Sequence, residues 1–522
     1  QYDLETAEVI DDPHPKMKLY SLKPKDSGTV REGIMLLGIS AQERALLADA
    51  ATVVLSPYHG MNVVLTEQQP DQGEEFESGG VTYRRFAVTV RGLHKDTFRS
   101  FDVEPLSEIL VYSRDGLVFV SGQFDLPQFF PTTYTPTHEE LRAHRPEPAT
   151  VLASATAIQG RINAFTNAVN ISTIPDDPDA ASALALAITA TARQLWDDAR
   201  TYRPNGYCDD RTLYWARLKM AEALKRHPRL LKNSAERNTL VRLLEENTRG
   251  FVNAEFSNNT PDVKKILLVA FDPYGLGGAG ITNANISGII ALGLHGESVQ
   301  SSTTTGVIHS LILPVRYADF DDGMIEQLFA PFMHGDNRAH MILTTNMNGE
   351  HGIYSLERFA GRRRTGALPD NDDRKSTIVV GVGTDWKEFY PMSLPVTAIM
   401  AGRKSATPSQ SFFYDQSFLS SADTTHVSRP GIDSDADNLE SNADITPTGV
   451  AIRGSGGSYL SNELFYRLAH LREHSPSGGG ISSTVIGHLD LPAIGSSGPA
   501  STSAINILNE VKTTIERALD NI

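Results

Sequence analysis

The stretch KKILLVAFDPYGLGGAG, residues 264–280, joins an unbroken apolar run to a glycine-rich turn. A short apolar run bounded by turn residues is typical of a fully buried strand. Further apolar strands alternate with helical stretches along the rest of the chain: ISGIIALGLHG (286–296), VIHSLILPV (307–315), HMILTT (340–345) and TVIGHLDL (484–491). This alternation predicts an α/β domain over residues 263–522, built in three layers around a mostly parallel sheet.

The glycines of this turn also allow a dinucleotide-binding hypothesis. Gly275, Gly277 and Gly280 satisfy the spacing G-x-G-x-x-G after a strand, and such a turn can present backbone amides to a pyrophosphate. The motif also needs an acidic residue about 20 positions further on, which binds the ribose hydroxyls. The next strand ends instead in PVR, residues 314–316. We therefore predict no nucleotide and no other cofactor.

The chain before this domain divides into two regions. Residues 1–145 carry short β-branched runs, such as ATVVL (51–55) and RRFAVTV (84–90), and predict a β-rich region. Residues 146–262 are predicted to be helical, because LYWARLKMAEALKRH (213–227) has the spacing of an amphipathic helix. Within the α/β domain, residues 403–450 are rich in Ser, Asp, Thr and Asn and lack a period, which predicts a long surface insertion.

Composition argues against several classes of partner and site. The chain has 47 Lys and Arg against 63 Asp and Glu, a net charge of −16, which disfavours binding to nucleic acid. No apolar stretch approaches the roughly 18 residues of a membrane-spanning helix. Cys208 is the only cysteine, which excludes a cysteine-rich metal site, and we predict no metal. The sequence starts at Gln1 without a visible signal peptide, so secreted and cytoplasmic locations both remain open, as does homo-oligomer formation.

In the C-terminal half, the elements FDPYG (271–275), NIS (285–287), YSLERFA (354–360) and GGSYLSNELFYRLAHLR (456–472), taken in order, resemble the type I pyroglutamyl peptidase family. The opening strand with FDPYG (271–275) and NIS (285–287) is similar to that family's strand, F-x-P-F-G-G and N-P-S. The later elements are LPVRY (313–317), YSLERFA (354–360), LPDN (368–371), FYPMSLPVTAIM (389–400), GGSYLSNELFYRLAHLR (456–472) and VIGHLDLP (485–492). The resemblance covers about residues 264–500 and implies a pyroglutamyl-peptidase-like α/β fold.

The resemblance also implies a catalytic constellation. It places the nucleophile at Ser461, where the family has Cys, and the active-site His and Glu at His488 and Glu357. A Ser hydroxyl is far less acidic than a thiol, so it needs a base within hydrogen-bond reach. His488 would take the hydroxyl proton, Glu357 would orient the imidazole, and backbone amides beside Ser461 would receive the oxyanion. The implied substrate is a peptide or another amide.

The sequence departs from the family pattern at the substrate pocket and beside the histidine. The family's pocket falls on Phe271, Tyr274 and Met347, with Tyr274 in place of Phe and Met347 in place of the lactam-binding Gln. The family's His stands two residues before a Pro, and here that position is Asp490. Because residues i and i+2 of a strand face the same side, either His488 or Asp490 can take the His location.

Two functions follow from this pattern. The first is a peptidase or amidohydrolase that uses Ser461, His488 and Glu357. The alternative is a catalytically inactive relative of the pyroglutamyl peptidases that works in binding or assembly. In the second case His488 is a buried strand histidine with its hydrogen bonds satisfied, and Ser461 is a helix-capping residue.

Overall fold

The computed structural model describes the chain from residue 136 onward, and before it nine β-strands without their side chains. The gaps after residue 136 are 172–177, 228–229, 231–233, 257–261, 349–351, 367, 382–385, 402–410, 425–444, 475–480 and 495–500. The chain forms two compact units. One comprises residues 1–136 and 224–238, and the other comprises residues 137–223 and 239–522.

The first unit contains an antiparallel sheet. Its strands are β1 (Glu8–Ile10), β2 (Met17–Ser21), β3 (Val30–Ile39), β4 (Ala50–Leu55), β5 (Asn62–Glu67), β6 (Glu75–Ser78), β7 (Val81–Arg91), β8 (Leu106–Ser113) and β9 (Gly116–Phe124). They are ordered β1-β2-β3-β7-β5-β4-β8-β9, and β6 pairs with β7. The N-terminal part of the chain is therefore β-rich, as predicted.

Helices follow the β-rich region and then recur between the strands of the second sheet. The first group is α1 (His138–Ala143), α2 (Pro146–Ser154), α3 (Thr156–Ile171), α4 (Pro178–Thr201), α5 (Asp210–Arg226) and α6 (Ser234–Thr248). The second group is α7 (Ile286–Leu294), α8 (Tyr317–Asp321), α9 (Met324–Phe329), α10 (Val396–Met400), α11 (Leu460–His474) and α12 (Ser501–Ala518).

The second unit is organised around a seven-stranded, largely parallel sheet. Its strands are β10 (Lys264–Phe271), β11 (Ser298–Gln300), β12 (Thr305–Leu313), β13 (Met341–Met347), β14 (Ile353–Glu357), β19 (Ser411–Asp415) and β22 (Val485–Leu491). Their order is β11-β12-β10-β13-β22-β14-β19. β12, β10, β13 and β22 are mutually parallel, and β14 pairs with β22 in the antiparallel sense.

Short strand pairs lie beside this sheet. They are formed by β15 (Phe359–Gly361) with β18 (Phe389–Pro391), β16 (Arg363–Arg364) with β17 (Ile378–Val379), and β20 (Leu419–Ser420) with β21 (Ala451–Arg453). β15 and β16 follow β14 closely along the chain.

The apolar residues of β10 supply both faces of the sheet. Ile266 and Leu268 belong to one core with residues of α7 and α12, whereas Leu267 and Val269 belong to another with residues of α11. Successive side chains of a strand point to opposite faces, so an unbroken apolar run is what a strand covered on both sides requires. The result is the predicted three-layer α/β arrangement.

Two boundaries differ from the sequence prediction. The helices between residues 138 and 223 lie in the same compact unit as the parallel sheet, although residues 146–262 were predicted as a region of their own. Within the predicted insertion 403–450, residues 403–410 and 425–444 lie outside the described part of the chain. Ser411–Asp415 nevertheless forms β19, which pairs with β14 at the edge of the main sheet. This strand was not predicted because the residues around it in the sequence are polar.

Among the described helices, none has both the length and the apolar character needed to cross a membrane.

Candidate functional site

The predicted catalytic histidine and glutamate lie side by side in the sheet. His488 is in β22 and Glu357 ends β14, and the antiparallel register places the two residues directly opposite each other. Both side chains are buried. Opposed residues of antiparallel strands have their Cβ atoms about 5 Å apart. The sheet therefore brings together two of the three residues of the predicted constellation.

The segment that carries Ser461 passes close to this pair. A Cβ atom placed on Gly456 would lie 3.4 Å from Glu357 Cγ and 3.5 Å from His488 Cδ2. The Phe465 ring stacks on the His488 ring at a centroid distance of 6.4 Å. Phe465 is one helical turn beyond Ser461, so the two share a face of α11. Ser461 thus lies between two residues of its own segment that contact the His488 ring.

The first turn of α11 is fixed by buried polar contacts. Asn462 accepts a hydrogen bond from the Gly361 amide at 2.9 Å and donates one to the Gly361 carbonyl at 2.8 Å. Glu463, which is fully buried, accepts from Arg364 at 2.9 Å. Because the helix starts at Leu460, Ser461 lies inside the first turn and not at the capping position. Ser461 therefore belongs to the positive, N-terminal end of this helix.

Both ring nitrogens of His488 are hydrogen-bonded to residues other than Ser461. Nδ1 lies 2.7 Å from Thr344 Oγ1, and Nε2 lies 3.1 Å from Asp490 Oδ1. Thr344 is fully buried in β13, where it is the register partner of His488. Among the described residues no hydrogen bond joins Ser461 to His488. The structure brings the three predicted residues into one neighbourhood but forms a different chain, Thr344–His488–Asp490, which we call the histidine chain.

The sequence left open whether His488 or Asp490 faces the site. The two side chains lie on the same face of β22, as the period of a strand requires, and they bond to each other. Asp490 is the more exposed of the two, with 13% of its side chain accessible against 1% for His488. The Asp490 carboxylate is therefore nearer to solvent than the His488 imidazole.

The predicted substrate-binding residues end the neighbouring strands and contact each other. Tyr274 donates a hydrogen bond from its hydroxyl to the Met347 carbonyl at 2.7 Å. Burial, assisted by the negative charge of Asp490, raises the pKa of Tyr274 well above its usual value. Phe271 is a core residue at the end of β10. Two of the three residues that the resemblance assigns to the substrate pocket are thus hydrogen-bonded to each other.

A second polar cluster occupies the adjacent strand ends. Asp272, directly after β10, accepts hydrogen bonds at 2.8 Å from Arg217 of α5 and from Arg249. Glu245 of α6 forms ion pairs with both arginines, at 3.4 Å and 2.6 Å. We call these four residues the ion cluster. It joins the helices at residues 210–249 to the carboxyl end of β10.

The ion cluster continues to the neighbouring strand end. Arg316, which follows β12, lies 3.5 Å from Glu245 and 3.0 Å from Glu139 of α1. Glu139 also accepts from the Tyr214 hydroxyl at 2.8 Å. The arginines hold the pKa of Glu245 well below its ordinary value even though burial opposes this shift. α/β proteins usually bind ligands at the carboxyl ends of their strands, and here helices cover part of that edge.

The glycine-rich turn has no room at its helix for a pyrophosphate. The buried Asp210 carboxylate accepts a hydrogen bond from the Asn285 amide at 2.9 Å, and a Cβ atom on Gly288 would lie 2.9 Å from the same carboxylate oxygen. Burial raises the pKa of Asp210 well above its usual value. An acidic side chain therefore fills the position at the start of α7 that a phosphate would need.

Metal binding and thiol chemistry find no support in this neighbourhood. Across the described residues, no group of three His, Cys, Asp or Glu side chains is arranged to hold a metal ion. Cys208 is buried before α5, where its thiol donates to the Arg200 carbonyl. Burial raises the pKa of this thiol.

Several residues of the site were not found from the sequence. Thr344 is one of two adjacent threonines in HMILTT, and only the register between β13 and β22 shows which of them meets His488. Arg217 of α5 and Arg249, which directly follows α6, lie 55 and 23 positions before Asp272, so no local motif links them to it. Asn462 did carry a signal, because it follows Ser461 in the family-like segment GGSYLSN.

Two family models match parts of this chain. Residues 125–245 match the family model described as the PA0049 N-terminal domain, and residues 265–407 match the model of the PA0049 C-terminal domain. The uncharacterized protein PA0049 of Pseudomonas aeruginosa is 30% identical over 203 residues, which are 35% of this chain and 36% of that protein. The match therefore spans about a third of the length of this curated relative.

Solved structures of pyrrolidone carboxyl peptidase from the hyperthermophile Pyrococcus furiosus are also similar. A mutant form aligns with a TM-score of 0.32 and 19% identity over 49% of this chain and 99% of that chain. A further structure from the set that includes a cysteine-free mutant aligns with a TM-score of 0.31 and 20% identity over 49% and 98%. The chain is thus similar to PA0049 in sequence, and about half of it aligns with these peptidases.

Proposed function

We propose that the α/β half of this chain is a catalytically silent, peptidase-like domain that works in binding or assembly. The observation that carries the proposal is the hydrogen bonding of His488, whose two nitrogens are engaged by Thr344 and Asp490. A serine nucleophile needs a base within hydrogen-bond reach. Because both nitrogens of the imidazole are hydrogen-bonded to other residues, neither is available as a base for Ser461.

The surroundings of His488 support the same function. Tyr274 donates a hydrogen bond to the Met347 carbonyl, so two of the predicted substrate-binding residues are bonded to each other. The ion cluster and the helices that carry it occupy the carboxyl ends of β10 and β12. Such a domain would bind its partner through its surface and would form no covalent intermediate.

A second candidate is an acyl-transfer hydrolase, which one observation favours. Gly456 lies in contact distance of both Glu357 and His488, so the loop before α11 is where a nucleophile segment should be. In this mechanism Ser461 attacks the carbonyl of a peptide or amide, His488 accepts and returns the proton, and Glu357 orients the imidazole. Backbone amides beside Ser461 would receive the oxyanion. The mechanism requires His488 to leave the histidine chain.

Intact mass spectrometry after incubation with a fluorophosphonate tests the two candidates. The silent domain predicts no stoichiometric adduct on the unmodified chain. A single adduct that is lost in Ser461→Ala, and retained in the matched control Ser458→Ala, would overturn the proposal and establish the hydrolase. Cleavage of a pyroglutamyl substrate by Ser461→Cys alone would show that only the thiol is missing from a working site.

A further inference from the structure

Thr344 has a contact with the active-site histidine that has no counterpart in the predicted constellation. Its Oγ1 lies 2.7 Å from His488 Nδ1 and 3.1 Å from the Gly487 carbonyl. The next residue, Thr345, is equally buried but directs its hydroxyl to the Val269 carbonyl at 3.1 Å. The two adjacent threonines therefore serve different partners, and only one of them meets the imidazole.

The single hydroxyl proton of Thr344 allows two proton arrangements. When it is donated to the Gly487 carbonyl, Nδ1 of His488 must carry a proton and donate to Thr344. When it is donated to Nδ1, Nε2 carries the ring proton and donates it to Asp490. In the first arrangement Nε2 must also carry a proton to donate to Asp490, so the ring is an imidazolium, whereas in the second arrangement it is neutral. Neither arrangement leaves a nitrogen for a third hydroxyl.

The position of Ser461 shows what the imidazole would meet on leaving this chain. A Cβ atom on Gly456 would lie 3.5 Å from Cδ2 of the His488 ring, the Phe465 ring is stacked on the imidazole at a centroid distance of 6.4 Å, and Ser461 lies between these two residues in the sequence. The loop and the first turn of α11 are held by Asn462 and by Glu463. The ring is therefore enclosed by the segment of Ser461 while its polar atoms are bound elsewhere.

We propose that Thr344 is a positioning residue that locks the His488 imidazole onto Asp490 and away from residue 461. This inference rests on the proposed function and names the contact that keeps the site silent. Without the hydroxyl, Nδ1 loses a buried partner, and an unsatisfied buried nitrogen costs enough to drive the ring to a new one. The hydroxyl or thiol at position 461 is the partner that the enclosing segment offers.

A thiol introduced at position 461 reports on the imidazole directly. In Ser461→Cys, the rate of alkylation by iodoacetamide at pH 7 follows the thiolate fraction, which rises when an imidazolium lies beside the sulfur. Adding Thr344→Val is expected to raise this rate about tenfold, the effect of one pKa unit. Adding Thr345→Val, the matched control, is expected to leave the rate unchanged. Thr344→Ser retains the hydroxyl and should restore the slow rate, and peptide mapping separates the new thiol from Cys208.

Two results would overturn the lock. One is equal alkylation rates in the Thr344→Val and Thr345→Val backgrounds. The other is measured without altering Thr344, on the His488 ring 15N resonances, which are assigned by their loss in His488→Asn. We expect these resonances to be the same in the unmodified chain and in Ser461→Cys. A shift between those two proteins means that the ring already faces position 461. Phosphonate labelling of the unmodified chain would refute the silent function, whereas unchanged thiol rates would refute the lock alone.

Discussion

The ion cluster and the histidine chain occupy neighbouring strand ends of one sheet, yet they are built from different interactions. The ion cluster holds two arginines against two carboxylates with almost no solvent access to the arginines. The histidine chain uses a hydroxyl, an imidazole and a carboxylate that is 13% exposed. Removing one buried charge strands its partner, whereas breaking one neutral hydrogen bond costs far less. We therefore expect the ion cluster to stabilise the fold, and the histidine chain to be the easier of the two to rearrange.

The largest expected effect comes from breaking the ion cluster. Asp272→Asn leaves Arg217 and Arg249 buried without their shared carboxylate, and we expect a loss of about 3–5 kcal/mol in the free energy of unfolding. Asp319→Asn is the control, because its carboxylate is partly exposed at the edge of the same network, and it should cost at most about 1 kcal/mol. Urea denaturation measures both. Equal losses would show that the cluster carries no special share of the stability.

The next effect separates two neighbouring residues of α11. Asn462→Ala removes two buried hydrogen bonds to Gly361 and should cost about 2–4 kcal/mol. Ser461→Ala removes no capping bond and should change the free energy of unfolding by at most about 0.5 kcal/mol. Thermal and urea unfolding of the two variants give the comparison. A large loss in the free energy of unfolding of Ser461→Ala would show that Ser461 is a structural cap.

A pH experiment addresses a second buried histidine of the same domain, His295. Burial, together with Arg200 and His309, lowers the pKa of His295 to about 3, and its Nδ1 accepts from the Ser310 amide. The unfolded chain therefore binds a proton at His295 below pH 6.5 that the folded chain refuses. Stability falls as the pH drops from 6.5 towards 3, by up to about 1.4 kcal/mol per pH unit from this group.

The variant His295→Asn isolates that contribution, because the amide oxygen can still accept from Ser310. The slope of unfolding free energy against pH should become shallower between pH 6 and 4 than in the unmodified chain. An unchanged slope would assign the acid sensitivity to other groups, of which His309, whose pKa burial also lowers, is the first.

The smallest effect concerns Gly456. A methyl group there would meet Glu357 and His488 at ordinary van der Waals distances, so Gly456→Ala should change the free energy of unfolding by less than about 0.5 kcal/mol. Gly280→Ala is the contrasting variant, since its Cβ would lie 2.1 Å from the Gly275 carbonyl oxygen. Thermal unfolding distinguishes them. Loss of stability in Gly456→Ala comparable to that in Gly280→Ala would mean that the loop is packed more tightly against His488 than its geometry indicates.

Most of the fold could be predicted from the sequence, because its strands and helices follow from local patterns of apolar residues. The apolar run of β10 and the amphipathic pattern of residues 213–227, which lies in α5, are patterns that sterics impose on strands and helices. β19 was missed because its five residues lie among polar segments, and α1 begins at His138, before the predicted helical region. Local composition cannot reveal which sheet edge a short strand will join.

The candidate site was accessible only in part. The family-like order of motifs placed Ser461, His488 and Glu357 in one neighbourhood, but hydrogen bonding is decided by side-chain geometry across strands. Thr344 and His488 are 144 positions apart, and nothing local to either residue indicates their contact. The roles of the three predicted residues stay predictions until labelling and thiol rates are measured.

The position of β22 has a consequence for the order in which the molecule can be assembled. This strand lies between β13 and β14, although it is made more than a hundred residues after them. A nascent chain that has emerged only to residue 480 therefore has two unpaired strand edges facing a gap in its sheet, and open edges promote association with other chains. The region of His488 is completed last during synthesis, so truncation before β22 should yield a chain that depends on chaperones to stay dispersed.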